Sequence, residues 1–166
     1  MASNAEIKCY KNLAQNEYDC HADASCFPHA FANVETRSES VFAARNAIDG
    51  NTENHSHGKW PYESWGINQK LDAEITLDFG RIVKVDKIVL YTRSDFPHDS
   101  YWKQVQFQFS DGSSLSYKME KSDQPHVFCV EKRQVIWLKL CNLIKDEFDP
   151  SPFPALSQIE VFGTEI

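Results

Sequence analysis

Polar and aromatic side chains are concentrated between Tyr91 and Trp102, where the chain reads YTRSDFPHDSYW. The segment offers a guanidinium, an imidazole, two carboxylates and several rings, and an alternating strand pattern follows it at residues 104–110. Sugars suit such a loop because their C–H faces pack on aromatic rings while their hydroxyl groups exchange hydrogen bonds with polar side chains. The composition of the loop therefore predicts a carbohydrate-binding site.

Three side chains of this loop are candidates for directed hydrogen bonds. Arg93 can donate to two adjacent hydroxyl groups because its guanidinium is planar, and His98 and Asp99 can supply the remaining donors and acceptors. Replacing Arg93 by Ala is then expected to abolish binding and to leave the melting temperature within a few degrees. The candidate stacking platforms are Phe96, Tyr101, Trp102, Trp60 and Tyr62, with a buried plug of the rim as an equally good interpretation of Trp102.

A second set of ligand atoms lies in the segment AIDGNT at residues 47–52. Asp49, Asn51 and Thr52 bring carboxylate, amide and hydroxyl oxygens onto a tight turn at Gly50, and calcium prefers hard oxygen ligands on a bent loop. An ordinary Asp-Gly-Asn turn that closes a helix explains the same residues. Both interpretations are open at this point.

Zinc binding and catalysis are weaker alternatives. Two cysteines and two histidines at residues 20–29 could offer thiolates and imidazoles to zinc, but their spacing matches no closed zinc module, and His55 and His57 fit a solvated turn better. Glycosidases need a pair of carboxylates across the scissile bond, and the acids on the predicted loops are Asp95, Asp99, Glu63 and Asp149. The chain contains no Gly-x-Ser-x-Gly motif, so non-catalytic binding is favoured.

Length and charge limit the classes of protein to which the chain can belong. The 166 residues are most simply a short tail, residues 1–11, and one domain, residues 12–166, which is long enough to bury a sizeable core. The net charge of −7 argues against nucleic acid as a partner. No apolar run is long enough for a membrane span or a signal peptide, and five cysteines without a dense framework suggest free thiols, which favours a cytoplasmic location.

The predicted elements that would position these residues are mostly strands. Strand patterns cover residues 73–79, 85–91, 104–110, 115–119, 127–130, 134–140 and 158–162, and Asp111-Gly112 marks a hairpin turn. One short helix is predicted over residues 40–48. The stretches 12–39, 51–70 and 144–155 do not fit as strands, and long loops of this kind usually gather at one rim of a β-sandwich and carry function.

Short motifs follow one another in a recognisable order. They are AIDGNT at 47–52, Trp65, ITLDFG at 75–80, VDKIVL at 85–90, FSDG at 109–112, WLKL at 137–140 and IEVFG at 159–163. Over roughly residues 40–166 this order resembles the discoidin domains, also called coagulation factor five/eight type C domains, and their bacterial relatives, the family 32 carbohydrate-binding modules. The resemblance implies an all-β, galactose-binding-like jelly-roll sandwich with a structural calcium and a ligand site in the rim loops.

The resemblance also assigns roles to individual positions. An arginine after the strand that matches residues 85–91 commonly binds the sugar, and Arg93 falls there. Calcium would be held by the AIDGNT turn and by a residue five positions before the last glycine, commonly Glu. That residue is Gln158 here, while Glu160 points to the same face of the sheet, so calcium binding should be weaker or lost. The implied metal ligands are Asp49, Asn51, Thr52, Gln158 and Glu160.

The sequence as a whole predicts a non-catalytic β-sandwich that binds a glycan through a polar and aromatic rim site. One alternative is a protein- or lipid-binding adaptor of the discoidin type, which would use exposed rings such as Phe148 and Phe153. The other is a small glycoside-active enzyme or an accessory module of one. The sequence does not specify the sugar or the oligomeric state.

Overall fold

Eight β-strands form most of the regular structure of residues 8–166, the part of the chain that the computed structural model describes. Every pairing between them is antiparallel. The predicted all-β class is therefore confirmed. The strands are β1 Lys11–Asn12, β2 His29–Ala32, β3 Trp65–Gly66, β4 Ile75–Thr92, β5 Trp102–Phe109, β6 Ser114–Lys118, β7 His126–Lys145 and β8 Ala155–Glu165.

The two long strands, β4 and β7, run through both layers of the sandwich. They pair with each other in three stretches, and register shifts separate the stretches between Asp78 and Val83 and between Val85 and Lys87. Gly80 permits the first shift because its φ of 67° lies in the left-handed region. The first part of β4 borders β2, while its last part borders β8. Two segments that were predicted as separate strands, 73–79 and 85–91, are thus one bent strand.

Apolar side chains from both layers meet in a single core. The alternation predicted for β5 is confirmed, because Trp102, Val105, Phe107 and Phe109 are all buried between the layers. β8 pairs with β4 along one side and with β1 and β3 along the other, and most of its residues are buried. The core therefore holds the strand ends firmly, and the rim loops start from fixed positions.

The predicted short helix over residues 40–48 is wrong in type. The chain forms separate 3-10 turns at Thr36–Ser38, Ser40–Phe42 and Ala44–Ile48. Ala43 has extended backbone angles (φ −72°, ψ 153°), which interrupts the hydrogen bonding of a longer helix. Burial of Phe42, Ala47 and Ile48 in the protein dictates this path more strongly than local helix preference does. None of the helical segments in residues 8–166 has the length and apolarity needed to cross a membrane.

The lead-in at residues 12–39 was predicted to be free of strands, and this is wrong. β2 lies within it and pairs with the start of β4. The strand is only four residues long, with Phe31 exposed, so it lacks a readable alternation. The domain also begins before residue 12, because Lys11 pairs with Gly163. Residues 1–7 of the predicted tail, which was predicted at residues 1–11, lie outside the described residues.

Gly163 marks a point where three strands come too close for a side chain. A Cβ at this position would lie 1.9 Å from the carbonyl oxygen of Lys84. We expect Gly163→Ala to lower the free energy of unfolding by about 1–3 kcal/mol, because backbone must move to relieve the overlap. Urea denaturation measures this, with Thr164→Ala, a half-buried neighbour, as the control. Equal stability of the two variants would contradict the close approach.

Candidate functional site

A buried ion pair between Arg93 and Asp99 lies at the base of the loop that joins β4 to β5. Nε of Arg93 donates to both oxygens of Asp99 at 2.9 and 3.0 Å, and Nη2 donates to Oδ1 at 2.6 Å. Oδ2 also accepts from the backbone N–H of Asp95 at 2.9 Å, and Oδ1 lies 3.0 Å from Nδ1 of His98. Because Asp99 is fully buried and saturated with partners, it positions other groups and does not contact a ligand itself.

The guanidinium of Arg93 keeps one nitrogen directed away from this pair. Nη1 lies 3.4 Å from the hydroxyl oxygen of Ser64, and the guanidinium carbon is 5.9 Å from the centroid of the Phe42 ring. Arg93 is nevertheless mostly buried, with 5% of its surface exposed. The side of the guanidinium that carries Nη1 is therefore the one directed towards the rim, while Nε and Nη2 are bonded to Asp99.

His98 is the middle ring of a three-layer stack. Its imidazole lies 4.3 Å from that of His57 at an interplanar angle of 7°, and 5.1 Å from the ring of Phe153 at 11°. Both faces of His98 are covered, but 43% of its side chain is exposed, so the accessible part of the ring is its edge. When Nδ1–H donates to Asp99 in the neutral ring, Nε2 is left as an acceptor.

A cavity of about 140 Å³ opens beside these groups. Its lining combines hydrogen-bonding groups with aromatic surface. Segments that are far apart in the sequence contribute to it, so only the folded chain assembles the site. Its lining side chains include Arg37, Phe42, His57, Arg93, His98 and Phe153.

Buried polar contacts hold the rim loops in place around the cavity. Asn54 is buried, and its side-chain amide donates to the carbonyl oxygens of Thr92 and Asp123, both at 3.0 Å. The backbone N–H of Ser94 donates to the carbonyl oxygen of Asn54 at 2.7 Å. The hydroxyl of Ser151 donates to the carbonyl oxygen of His98. These bonds join the loops that carry His57, His98 and Phe153.

The predicted stacking platforms do not line this cavity. Trp102 has no exposed surface and belongs to the core, so the alternative interpretation as a buried plug holds. Phe96 is at the surface, with Nζ of Lys121 4.6 Å from its ring centroid. Trp60 is 74% exposed and Tyr62 is half-buried, and both lie outside the lining.

Tyr101 is also engaged elsewhere. Its hydroxyl donates to Oδ2 of Asp146 at 2.6 Å, and this hydrogen bond, together with burial, raises the pKa of Tyr101 to about 12. The same bond lowers the pKa of the Asp146 carboxyl. The contact ties the start of β5 to the loop after β7, which is a structural role.

The aromatic surface of the cavity comes from residues that sequence reasoning placed elsewhere or left open. Phe42 and Arg37 lie in and beside the predicted helix, and no local motif marks them as ligand-facing. His57 was interpreted as part of a solvated turn, but its Nδ1 lies 2.6 Å from Oδ2 of Asp95. Phe153 was already a candidate rim residue because it lies among prolines in a long loop, and it lines the cavity.

The five predicted calcium ligands make different contacts. Gln158 is fully buried on β8 and its amide contacts the turn that contains Asp49. Glu160 accepts instead from the hydroxyl of Tyr91 at 3.4 Å, and Thr52 is exposed. The Asn51 amide donates to the carbonyl oxygen of Pro61.

The charge at this turn is carried by Asp49. Burial raises the pKa of the Asp49 carboxyl, and the nearby charge of Glu63 acts in the same direction. A hydrogen bond from the backbone N–H of Asn51, 2.8 Å from Oδ1 of Asp49, opposes the rise. Calcium at this turn stays a prediction from the resemblance.

Within residues 8–166, one trio of side chains has metal-ligand atoms close together, namely His57, Asp95 and His98, within 4.8 Å of one another. Their two imidazoles stack in parallel, so their in-plane lone pairs do not converge on one ion. The zinc alternative also finds no assembled site, because His29 is buried against Asp19, with Nδ1 2.7 Å from its Oδ1. All five cysteines lie within the described residues as free thiols.

Removing Arg93 should destabilise the protein, contrary to the expectation from the sequence. Arg93→Ala leaves the Asp99 carboxylate buried without its charge partner, so we expect a loss of about 3–5 kcal/mol in the free energy of unfolding. Arg37→Ala is the matched control, because its ion pair with Glu39 is exposed and contributes little. Thermal and urea unfolding measure both variants. Similar stabilities would show that the Arg93–Asp99 pair is not the anchor of the loop.

Solved structures of carbohydrate-binding modules share this fold. A family 32 module of NanJ from C. perfringens, solved with galactose, is 18% identical with a TM-score of 0.58, covering 80% of this chain and 91% of that chain. A fucose-binding module of Streptococcus pneumoniae is 12% identical with a TM-score of 0.65, covering 93% and 99%. A chitosan-binding module of a Paenibacillus chitosanase/glucanase is 17% identical with a TM-score of 0.61, covering 92% and 99%.

At these identities the likeness establishes the fold, and it confirms the predicted galactose-binding-like β-sandwich. Comparison of the sequence with curated proteins found no significant match. The family model described as the F5/8 type C domain matches residues 31–126, which is more than half of the chain. This chain therefore belongs to the F5/8 type C, or discoidin, domain family.

Proposed function

We propose that this domain binds a carbohydrate in the cavity between Arg93, His98 and Phe42. The observation that carries the proposal is the shared partner of the two polar groups: the buried carboxylate of Asp99 contacts both Arg93 and His98. A donor edge and an acceptor edge are thereby held side by side on one wall of the cavity. Such fixed groups need little reordering when a ligand arrives, which favours binding.

The chemistry of these edges complements two neighbouring hydroxyl groups of a sugar. Nη1 of Arg93 can donate to one hydroxyl oxygen, while Nε2 of His98 accepts a hydrogen from the next. Phe42 offers aromatic surface to the C–H face of the ring. Arg93 is the donor and His98 the acceptor because each already directs another N–H group to Asp99.

The size of the cavity supports a small ligand or the end of a glycan chain. At about 140 Å³ it is well below the roughly 300–1,000 Å³ typical of enclosed small-molecule sites. Contact is therefore limited to one sugar residue, with affinity in the micromolar to millimolar range. The solved relatives named for galactose, fucose and chitosan agree with a sugar as the ligand class.

The function we propose is binding without catalysis. Three of the four candidate acids are already engaged: Asp99 with Arg93, Asp95 with His57, and Asp149 with Lys121 at 2.7 Å. The Lys121 hydrogen bond lowers the pKa of the Asp149 carboxyl, which makes it a poor general acid at neutral pH. A glycosidase would need a protonated acid opposite a second carboxylate.

A protein- or lipid-binding adaptor is the second candidate. The observation in its favour is Phe148, which is 88% exposed in the loop between β7 and β8. An adaptor would retain its partner in the presence of free sugar, whereas a glycan-binding domain would be competed by its own ligand. Competition by the sugar therefore separates the two functions.

The proposed function is tested by His98→Ala. The variant removes the acceptor edge, so we expect at least a tenfold loss of affinity for glycans selected on an array, which corresponds to about 1.4 kcal/mol. Because the His98 side chain is partly exposed, the melting temperature should fall by only a few degrees. Isothermal titration calorimetry measures the affinity, and His55→Ala, an exposed histidine outside the cavity lining, is the control.

Two results would overturn the assignment. Unchanged affinity in His98→Ala would move the site away from this cavity. A wild-type protein that binds no glycan on a broad array would remove carbohydrate as the ligand class.

A further inference from the structure

The side chain of Gln158 closes the turn at which the family resemblance implies calcium. One end of its amide lies 3.1 Å from the backbone nitrogen of Gly50. The other end lies 3.2 Å from Oδ1 of Asp49 and 3.3 Å from the carbonyl oxygen of Ala47. The amide is fully buried, so water does not complete its hydrogen bonding.

The neighbours of this amide determine which of its ends is the oxygen. The N–H of Gly50 is a donor and requires an acceptor, whereas Asp49 and Ala47 present only acceptors. Oε1 of Gln158 therefore accepts from Gly50, and Nε2 donates to Asp49 and Ala47. In the opposite orientation the amide nitrogen would face the N–H of Gly50, and the amide oxygen would face the oxygens of Asp49 and Ala47. Such unsatisfied groups are costly when they are buried.

This arrangement does not fit a calcium ion. Calcium needs six to eight oxygen ligands at about 2.3–2.6 Å. With the amide assigned in this way, the group that faces Asp49 and Ala47 is an N–H donor. The opposite assignment would place the amide N–H groups against the N–H of Gly50. A carboxylate at this position would differ, because one oxygen could accept from Gly50 while the other ligated the metal.

In the described part of the chain, no nearby side chain supplies the oxygen ligand that a carboxylate at position 158 would provide. Glu160 is bonded to the hydroxyl of Tyr91, and Thr52 is exposed. The side-chain oxygen of Asn51 accepts from the backbone N–H of Glu53 at 3.1 Å. Asp49 is thus the one carboxylate in contact with the amide.

We propose that Gln158 replaces the structural calcium of the family, so that the turn at residues 47–51 is held without a metal ion. The amide N–H groups donate to Oδ1 of Asp49 and to the carbonyl oxygen of Ala47, two oxygens that would hold the cation in a metal-binding turn. The link to Asp49 is charge-assisted and therefore stronger than an ordinary amide hydrogen bond.

The same contact fixes the start of the loop that carries His57. Gln158 pairs with Tyr91 near the end of β4, two residues before Arg93, so the metal-free turn lies next to the proposed ligand site. Gln158 is then a positioning residue for that rim. Its role does not depend on which ligand the cavity binds.

The inference is tested by thermal unfolding of wild type and of Gln158→Glu, with millimolar calcium or with EDTA. Wild type should melt at the same temperature in both conditions. The introduced carboxylate should be destabilising in EDTA, because it faces Asp49, and should create a calcium site. At about 100 times the dissociation constant, calcium should raise the melting temperature of Gln158→Glu by about 5–10 °C.

Controls separate a specific site from general effects of the ion. Glu160→Gln should melt like wild type in both conditions, and magnesium should not replace calcium for Gln158→Glu. The inference would be overturned if calcium stabilised wild type and did not stabilise Asp49→Asn. A folded Gln158→Glu that ignores calcium would also overturn it. If that variant does not fold, the wild-type comparison still decides, and none of these readouts involves a glycan.

Discussion

Burial of the Arg93–Asp99 ion pair is the constraint on which the rest of the rim depends. An ion removed from water is tolerated only when its hydrogen bonds are complete, and Asp99 reaches this state with two side chains and one backbone N–H. The same requirement orients Arg93 and His98 towards the cavity. The Arg93–Asp99 interaction therefore determines both the stability of the loop and the geometry of the proposed site.

Complete pairing of buried polar groups also explains the turn that Gln158 closes. A half-buried Asp49 is stabilised by a positive or donating partner, and either a cation or an amide N–H can supply it. The position of the Gly50 N–H selects the amide orientation in this chain. The proposal therefore implies that exchange of one side chain can make such a turn independent of metal without a change in the fold.

Sequence periodicity was reliable for the strands because it reports directly on burial. The alternation of Val105, Phe107 and Phe109 predicted β5, and the structure buries all three. Helix preference was unreliable at residues 40–48, where packing of apolar residues produces 3-10 turns instead. The short strand at His29–Ala32 escaped prediction because its stability comes from its partner, β4, and not from its own residues.

The sequence by itself determined the all-β class, the family and the position of Arg93 and His98 in one loop between two strands, because strand periodicity and ordered motifs are local properties. The tertiary structure alone decided which groups face the cavity. It buried Asp99 and Trp102, brought His57 and Phe153 onto the two faces of His98, and left other predicted rings outside. The physical reason is that burial and partner choice depend on residues distant in sequence, and no local pattern records them.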